Sequence, residues 1–139
     1  MREEAEMNTK NLLYQVKKEQ KEINILRDQI RQVEASMLPQ AIRYDAVKVQ
    51  TSPDDPMIRR IEIMDEMEKD LDKKLQTLIK KRRLAVRLIY RLKDSRQRQV
   101  LLLYYTDERE LKMYQVADIM GYTQRWTHKI YKEALKNLE

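Results

Sequence analysis

Gln124, Arg125, His128, Lys129, Lys132 and Lys136 fall on one side of a helix when the last stretch of the chain is projected at about 100° per residue. Trp126, Thr127, Ile130, Ala134 and Leu138 fall on the other. An arginine can grip guanine through two hydrogen bonds and a glutamine can do the same with adenine, so Gln124, Arg125, His128 and Lys129 are suited to base edges in a major groove. Lys132 and Lys136, further along, suit phosphate oxygens. The chemistry implied is recognition of double-stranded DNA, with recognition helix 123–138 as the reader.

Such a helix is useful only if something holds it at a fixed angle. Gly121 stands at a turn where the backbone usually needs a positive φ, which only glycine adopts without penalty. Four residues earlier Ala117 is small, where two helices of a helix-turn-helix approach most closely. Val116, Met120 and Ile130 occupy the positions that such a motif buries, and Thr123 can cap the recognition helix. Thr127 departs from the pattern, because Val or Ile is usual there. It keeps the β-branched shape, and its hydroxyl can bond a backbone carbonyl.

The module that carries this motif starts at Asp94, an N-cap with Gln97 three residues on. Three helices are expected in residues 94–139: Ser95 to about Tyr105, about Lys112 to Met120, and Thr123 to about Leu138. Upstream, a heptad seam runs Ala5, Thr9, Leu12, Val16, Glu19, Ile23, Leu26, Ile30, Val33, Met37, and a coiled-coil arm over about 3–38 is expected to stop before Pro39. A second seam runs from Met57 through Ile61, Met64, Glu68, Leu71, Leu75, Leu78, Arg82, Ala85 and Ile89 to Leu92. Asp55 and Pro56 mark its start, and a helix over about 56–93 is expected. The connector 39–55 includes Tyr44, Val47 and Val49, patterned as at most one short strand. The arms at 1–93 can pair within one chain as an antiparallel hairpin or between chains as a homodimer, and both arrangements stay open. The fold class is all-α.

Composition narrows the function. With one Gly, three Pro and 37% charged residues in 139, the chain lacks strand punctuation. Residues 1–80 carry 15 Lys/Arg against 16 Asp/Glu, and residues 81–139 carry 14 against 7, so the basic excess belongs to the C-terminal part. Zero cysteines exclude disulfides and thiolate metal sites. His128 is the single histidine, and no glycine-rich phosphate loop or nucleophile grouping is present, so no catalytic residue, metal or cofactor is expected. The longest apolar run, Val100 to Tyr105, is far short of the ~20 residues of a membrane span, and a soluble, cytoplasmic protein is expected. Lys80-Lys81-Arg82-Arg83, with Arg87 and Arg91, lies along phosphates or forms a solvated face; both readings stay open. The acidic run Glu62 to Asp72 is expected to pair along the helix with lysines such as Lys69, Lys73 and Lys74.

Val100-Leu-Leu-Leu-Tyr-Tyr, Val116-Ala-Asp-Ile-Met-Gly-Tyr-Thr and Ala134-Leu-Lys-Asn-Leu resemble region 4 of sigma-70 family factors, over about a third of the chain. Gln124-Arg-Trp-Thr-His-Lys-Ile-Tyr and Val49-Gln-Thr-Ser-Pro resemble the RinA/ArpU-type transcriptional regulators of Gram-positive phages. The resemblance implies activation of phage genes, often late ones. In sigma region 4 the positions matching Gln124, Arg125, His128 and Lys129 face the promoter's upstream element, and kinship implies contact with RNA polymerase. The residues here differ from those of sigma factors, so a different DNA sequence is expected. Two other classes fit the same elements: a DNA-packaging adaptor like phage small terminases, and a helical scaffold for an acidic protein.

Overall fold

The computed structural model describes the backbone of residues 2–47 and 55–138, and the side-chain surroundings of residues 9–37 and 55–138. All regular structure among these is helical: α1 (Arg2–Val47), α2 (Pro56–Ile89), α3 (Ser95–Leu101), which runs on as a π-helical turn (Leu102–Thr106), α4 (Met113–Met120) and α5 (Gln124–Asn137). The all-α class is what the seams and the scarcity of glycine demanded.

Two boundaries differ from those read in the sequence. α1 does not stop at Leu38 but continues through Pro39 to Val47. A proline inside a helix costs about 3 kcal/mol, yet it removes only one hydrogen bond, and the helix-forming Gln40, Ala41 and Arg43 follow it. Tyr44 and Val47 are therefore helical rather than part of a strand, whereas Val49 and the Thr51–Asp54 turn lie outside the described residues. α2 begins at Pro56 as expected, with Asp55 accepting from the Met57 amide at 2.9 Å, and ends at Ile89 instead of Lys93. Its last turn is closed by the amides of Tyr90 and Leu92, which donate to the carbonyls of Val86 (2.9 Å) and Ile89 (3.0 Å), and just beyond it the Arg98 guanidinium donates to the carbonyls of Leu92 (2.7 Å) and Lys93 (3.0 Å).

The chain divides into two compact units, residues 22–76 and residues 1–21 with 77–139. Within the first, the two long helices run antiparallel: Lys74 lies 4.0 Å from Glu22, and Arg60 donates to the Ser36 carbonyl at 3.3 Å. Ile23 and Ile30 are its buried apolar residues among those described. Ile61 and Glu68 are exposed, and the rest of the seam there is half-buried.

Within the second unit α1 and α2 are again antiparallel, joined by Lys81 to Glu19 (2.6 Å) and by Arg82 to Gln20. The polar seam positions Glu19 and Arg82 thus each gain one partner, while Glu19 Oε2 and Arg82 Nε are buried with no hydrogen bond. Leu13 and Gln20 are buried here beside the seam residue Val16, so α1 presents a broader face than a two-helix seam. The reason is a third neighbour. Lys17 reaches the C-terminal module, donating to the carbonyls of Tyr104 (2.7 Å) and Leu111 (3.0 Å), with its ammonium 3.9 Å from the centre of the Tyr104 ring. Burial pulls the Lys17 ammonium below its usual pKa, while Glu110 acts in the opposite direction.

The sequence indicated an unbroken helix from Ser95 to Tyr105, and the π turn is the departure from it. Asp94 caps α3 as expected, accepting from the amides of Arg96 and Gln97. From Leu102 the helix widens, Thr106 donates its hydroxyl to the Leu102 carbonyl (2.6 Å), and the free Tyr104 carbonyl is the one Lys17 takes. Asp107 then ends the element. The paired hydrogen bonds from the Arg109 guanidinium (both 2.9 Å) hold its carboxyl below the ordinary carboxylate range.

Candidate nucleic-acid interface

The core of the C-terminal module is Val100 from α3, Leu111, Val116 from α4 and Ile130 from α5, with Leu103, Tyr104, Met120, Tyr122 and Tyr131 packed around it. α5 packs on both α3 and α4. Ala117, the small residue expected where the two helices approach most closely, is 1% exposed, and Ala134 on the apolar side of α5 is fully buried. Gln115 Oε1 accepts from the Lys112 amide at 2.8 Å at the start of α4. This is the return half of a capping box, since a lysine side chain has no acceptor to supply the other half.

The bend between α4 and α5 is built as the motif requires. Gly121 has φ +76° and ψ +27°, the left-handed conformation. Its amide and that of Tyr122 return to the carbonyls of Asp118 (3.2 Å) and Ala117 (3.0 Å), which closes the end of α4. Apart from the glycine and its chain neighbours, nothing lies within 4 Å of where a Cβ would sit, so backbone conformation rather than crowding demands the glycine. Thr123 then caps α5, its hydroxyl oxygen accepting from the Trp126 amide at 3.1 Å.

Thr127 is fully buried, and its hydroxyl donates to the Thr123 carbonyl at 2.9 Å. This explains how a polar residue fills a position where Val or Ile is usual. The same carbonyl also accepts from the Thr127 amide at 3.0 Å, so losing the hydroxyl orphans nothing. Thr127→Val, which keeps the shape, is therefore expected to change stability by less than about 1 kcal/mol in urea unfolding. A larger loss would mean that the hydroxyl fixes the turn.

Gln124, Arg125, His128, Lys129, Lys132 and Lys136 are all exposed, and Ile130 and Ala134 are buried behind them. None of Arg125, Lys129, Lys132 and Lys136 makes an ion pair or hydrogen bond to another described residue. The His128 ring stacks at 6.0 Å on Tyr131, whose hydroxyl shares a 2.6 Å hydrogen bond with Tyr105. Burial, with the Tyr131 hydrogen bond, pushes the Tyr105 phenol well above its ordinary pKa. His128 thus leans on a fixed aromatic shelf.

Trp126, on the side opposite the basic face by projection, is 43% exposed. It lies on the rim of a cleft between the start of α3 and α5, lined also by Asp94, Arg96, Gln97, Lys129, Lys132 and Glu133. Arg96 is the cation the sequence reading passed over. Its position follows from the α3 cap at Asp94, but its nearness to Lys129 and Lys132 depends on how α3 and α5 pack, which no local pattern encodes.

Residues 94–139 match the family model for sigma-70, region 4. This segment is a sigma-70 region 4-like helix-turn-helix. The match takes in α3, α4 and α5, 46 of the 139 residues, and assigns the region 4-like module to a DNA-binding rather than an enzymatic class. No curated protein and no solved structure gives a significant match to the chain. Among the described residues no helix is long and apolar enough to cross a membrane.

Proposed function

We propose that the chain is a sequence-specific, double-stranded DNA-binding transcription regulator of phage or prophage genes, in which residues 94–139 read the DNA and residues 1–93 serve as helical arms. The observation that carries the reading is the free cationic face of α5, set beyond a left-handed glycine turn in a region 4-like module. Gln124, Arg125, His128 and Lys129 contact base edges in the major groove. Lys132 and Lys136 meet phosphates, and Thr123 fixes the helix start. The phage context rests on the resemblance of Gln124 to Tyr131 and Val49 to Pro53 to the RinA/ArpU-type regulators, and contact with RNA polymerase on kinship with sigma factors. The half-covered seam of residues 22–76 favours a homodimer through the arms, since a strip of that kind is normally covered by another helix.

The test is duplex binding by the full chain over a range of salt. Lys132→Ala is expected to weaken selected and random duplexes about equally and to reduce the slope of log K against log salt by about 1. Absence of salt-sensitive duplex binding would overturn the reading and favour an acidic protein partner. Solution mass separates the remaining readings: a dimer fits a regulator, and a ring of many subunits fits a packaging adaptor.

A further inference from the structure

From Lys73 to Lys93 the chain contains no Asp or Glu, yet it carries Lys73, Lys74, Lys80, Lys81, Arg82, Arg83, Arg87, Arg91 and Lys93. The structure sorts the central cations into two groups. Lys81 and Arg82 turn toward Glu19, Gln20 and Glu108, so they serve the packing of α1 on α2. Lys80, Arg83, Arg87 and Arg91 are exposed, and their side chains make no ion pair or hydrogen bond to another described residue. Around the α2 axis Lys80, Arg83 and Arg87 lie within about 60° of one another, opposite the buried Leu78, Ala85 and Ile89, and Arg91 follows in the turn just past the helix end.

Such an arrangement works against the helix that carries it. Arg83 and Arg87 are like charges four residues apart on the helix and repel, and no acidic residue in the stretch offsets them. A stripe of this kind is stabilised when an external polyanion lies along it. Lys80 to Arg87 covers about 10 Å of helix axis, over which one DNA strand presents about three phosphates. The stripe is also anchored to the helix-turn-helix module: it belongs to the same compact unit, and Arg98 of α3 holds the carbonyls of Leu92 and Lys93 just beyond it.

We propose that Lys80, Arg83, Arg87 and Arg91 form a second DNA contact, a sequence-independent clamp on backbone phosphates outside the site read by α5. This rests on the reading of α5 as a DNA reader. It extends the footprint beyond one major-groove contact and assigns to α2 a role in affinity without base preference. The stripe then contributes to binding of every duplex long enough to reach it.

The experiment compares the full wild-type chain with Arg83→Gln/Arg87→Gln/Arg91→Gln and with the charge-preserving Arg83→Lys/Arg87→Lys/Arg91→Lys, on a selected duplex of about one helical turn and on one of about three turns. On the long duplex the Gln variant is expected to lose about 2.7 from the slope of log K against log salt, with at least a tenfold loss of affinity at physiological salt, while its base preference stays as in wild type. The Lys variant is expected to keep the wild-type slope, and on the short duplex the three proteins should bind alike. An unchanged slope for the Gln variant on the long duplex, or equal losses in the Gln and Lys variants, would overturn the clamp while leaving the α5 reading standing. A wild-type chain that binds neither duplex would overturn both. Matching thermal midpoints for the three proteins, expected for exposed positions, would exclude a folding defect as the cause.

Discussion

Arg125→Ala is expected to lower affinity for the selected duplex by about 1–3 kcal/mol, roughly 5- to 150-fold, and to relax base preference at one position of the site. Arg125 is exposed in the first turn of α5 and has no ion pair or hydrogen bond within the described residues, so removing it leaves no buried partner unsatisfied. The whole loss should therefore appear in binding, with the unfolding midpoint unchanged. A guanidinium at this place donates two parallel hydrogen bonds to a guanine edge, and an Arg125→Lys variant, with a single point charge, should recover nonspecific affinity but not base preference. Competition titration against single-base variants of the duplex reads both quantities. Equal affinity and an unaltered preference would remove Arg125 from the recognition face.

Ile130→Ala is expected to cost about 2–5 kcal/mol of stability, the largest effect of any single change considered. Ile130 is 5% exposed and closes the cluster with Val100, Leu111 and Val116, so it joins α5 to α3 and α4 at once. Truncation removes three methyl or methylene groups and leaves a cavity between elements that cannot close without tilting α5. Ile130→Val should cost only about 0.5–1.5 kcal/mol, which makes the pair a graded test of packing. Urea unfolding followed by far-UV circular dichroism measures both. DNA affinity under conditions where each variant stays folded should fall less than stability does, because Ile130 faces away from the exposed side of α5. A loss under about 0.5 kcal/mol for Ile130→Ala would place it on a surface instead.

What local chemistry determines was legible in the residues. Gly121, Thr123 and Thr127 each act within four residues of themselves, through a left-handed backbone, an N-cap and a hydroxyl bonded back one turn, and all three take the conformations their types imply. The exposed side of α5 followed from periodicity alone, apart from Trp126 at its margin. What was not legible depends on distant partners. Lys17 looks like one solvent-facing lysine among several, and only its hydrogen bonds to residues 87 and 94 positions away show that it holds α1 against the C-terminal module. Burial of Leu13 and Gln20 beside Val16 has the same origin, a third neighbour that a two-helix heptad pattern does not anticipate. The π turn is equally nonlocal, since the carbonyls it frees are claimed partly from α1. Pro39 shows the opposite limit: a strong local breaker lies inside a helix that extends well to either side of it.

The central claim is that the cationic side of α5 enters a major groove, and guanine N7, which lies in that groove, reports on it directly. Dimethyl sulfate protection on a duplex selected by the full chain should show a short block of shielded N7 atoms, with one guanine losing its protection in Arg125→Ala. Unshielded N7 atoms throughout a duplex that is demonstrably bound, with protection found only on the minor-groove side, would contradict the account.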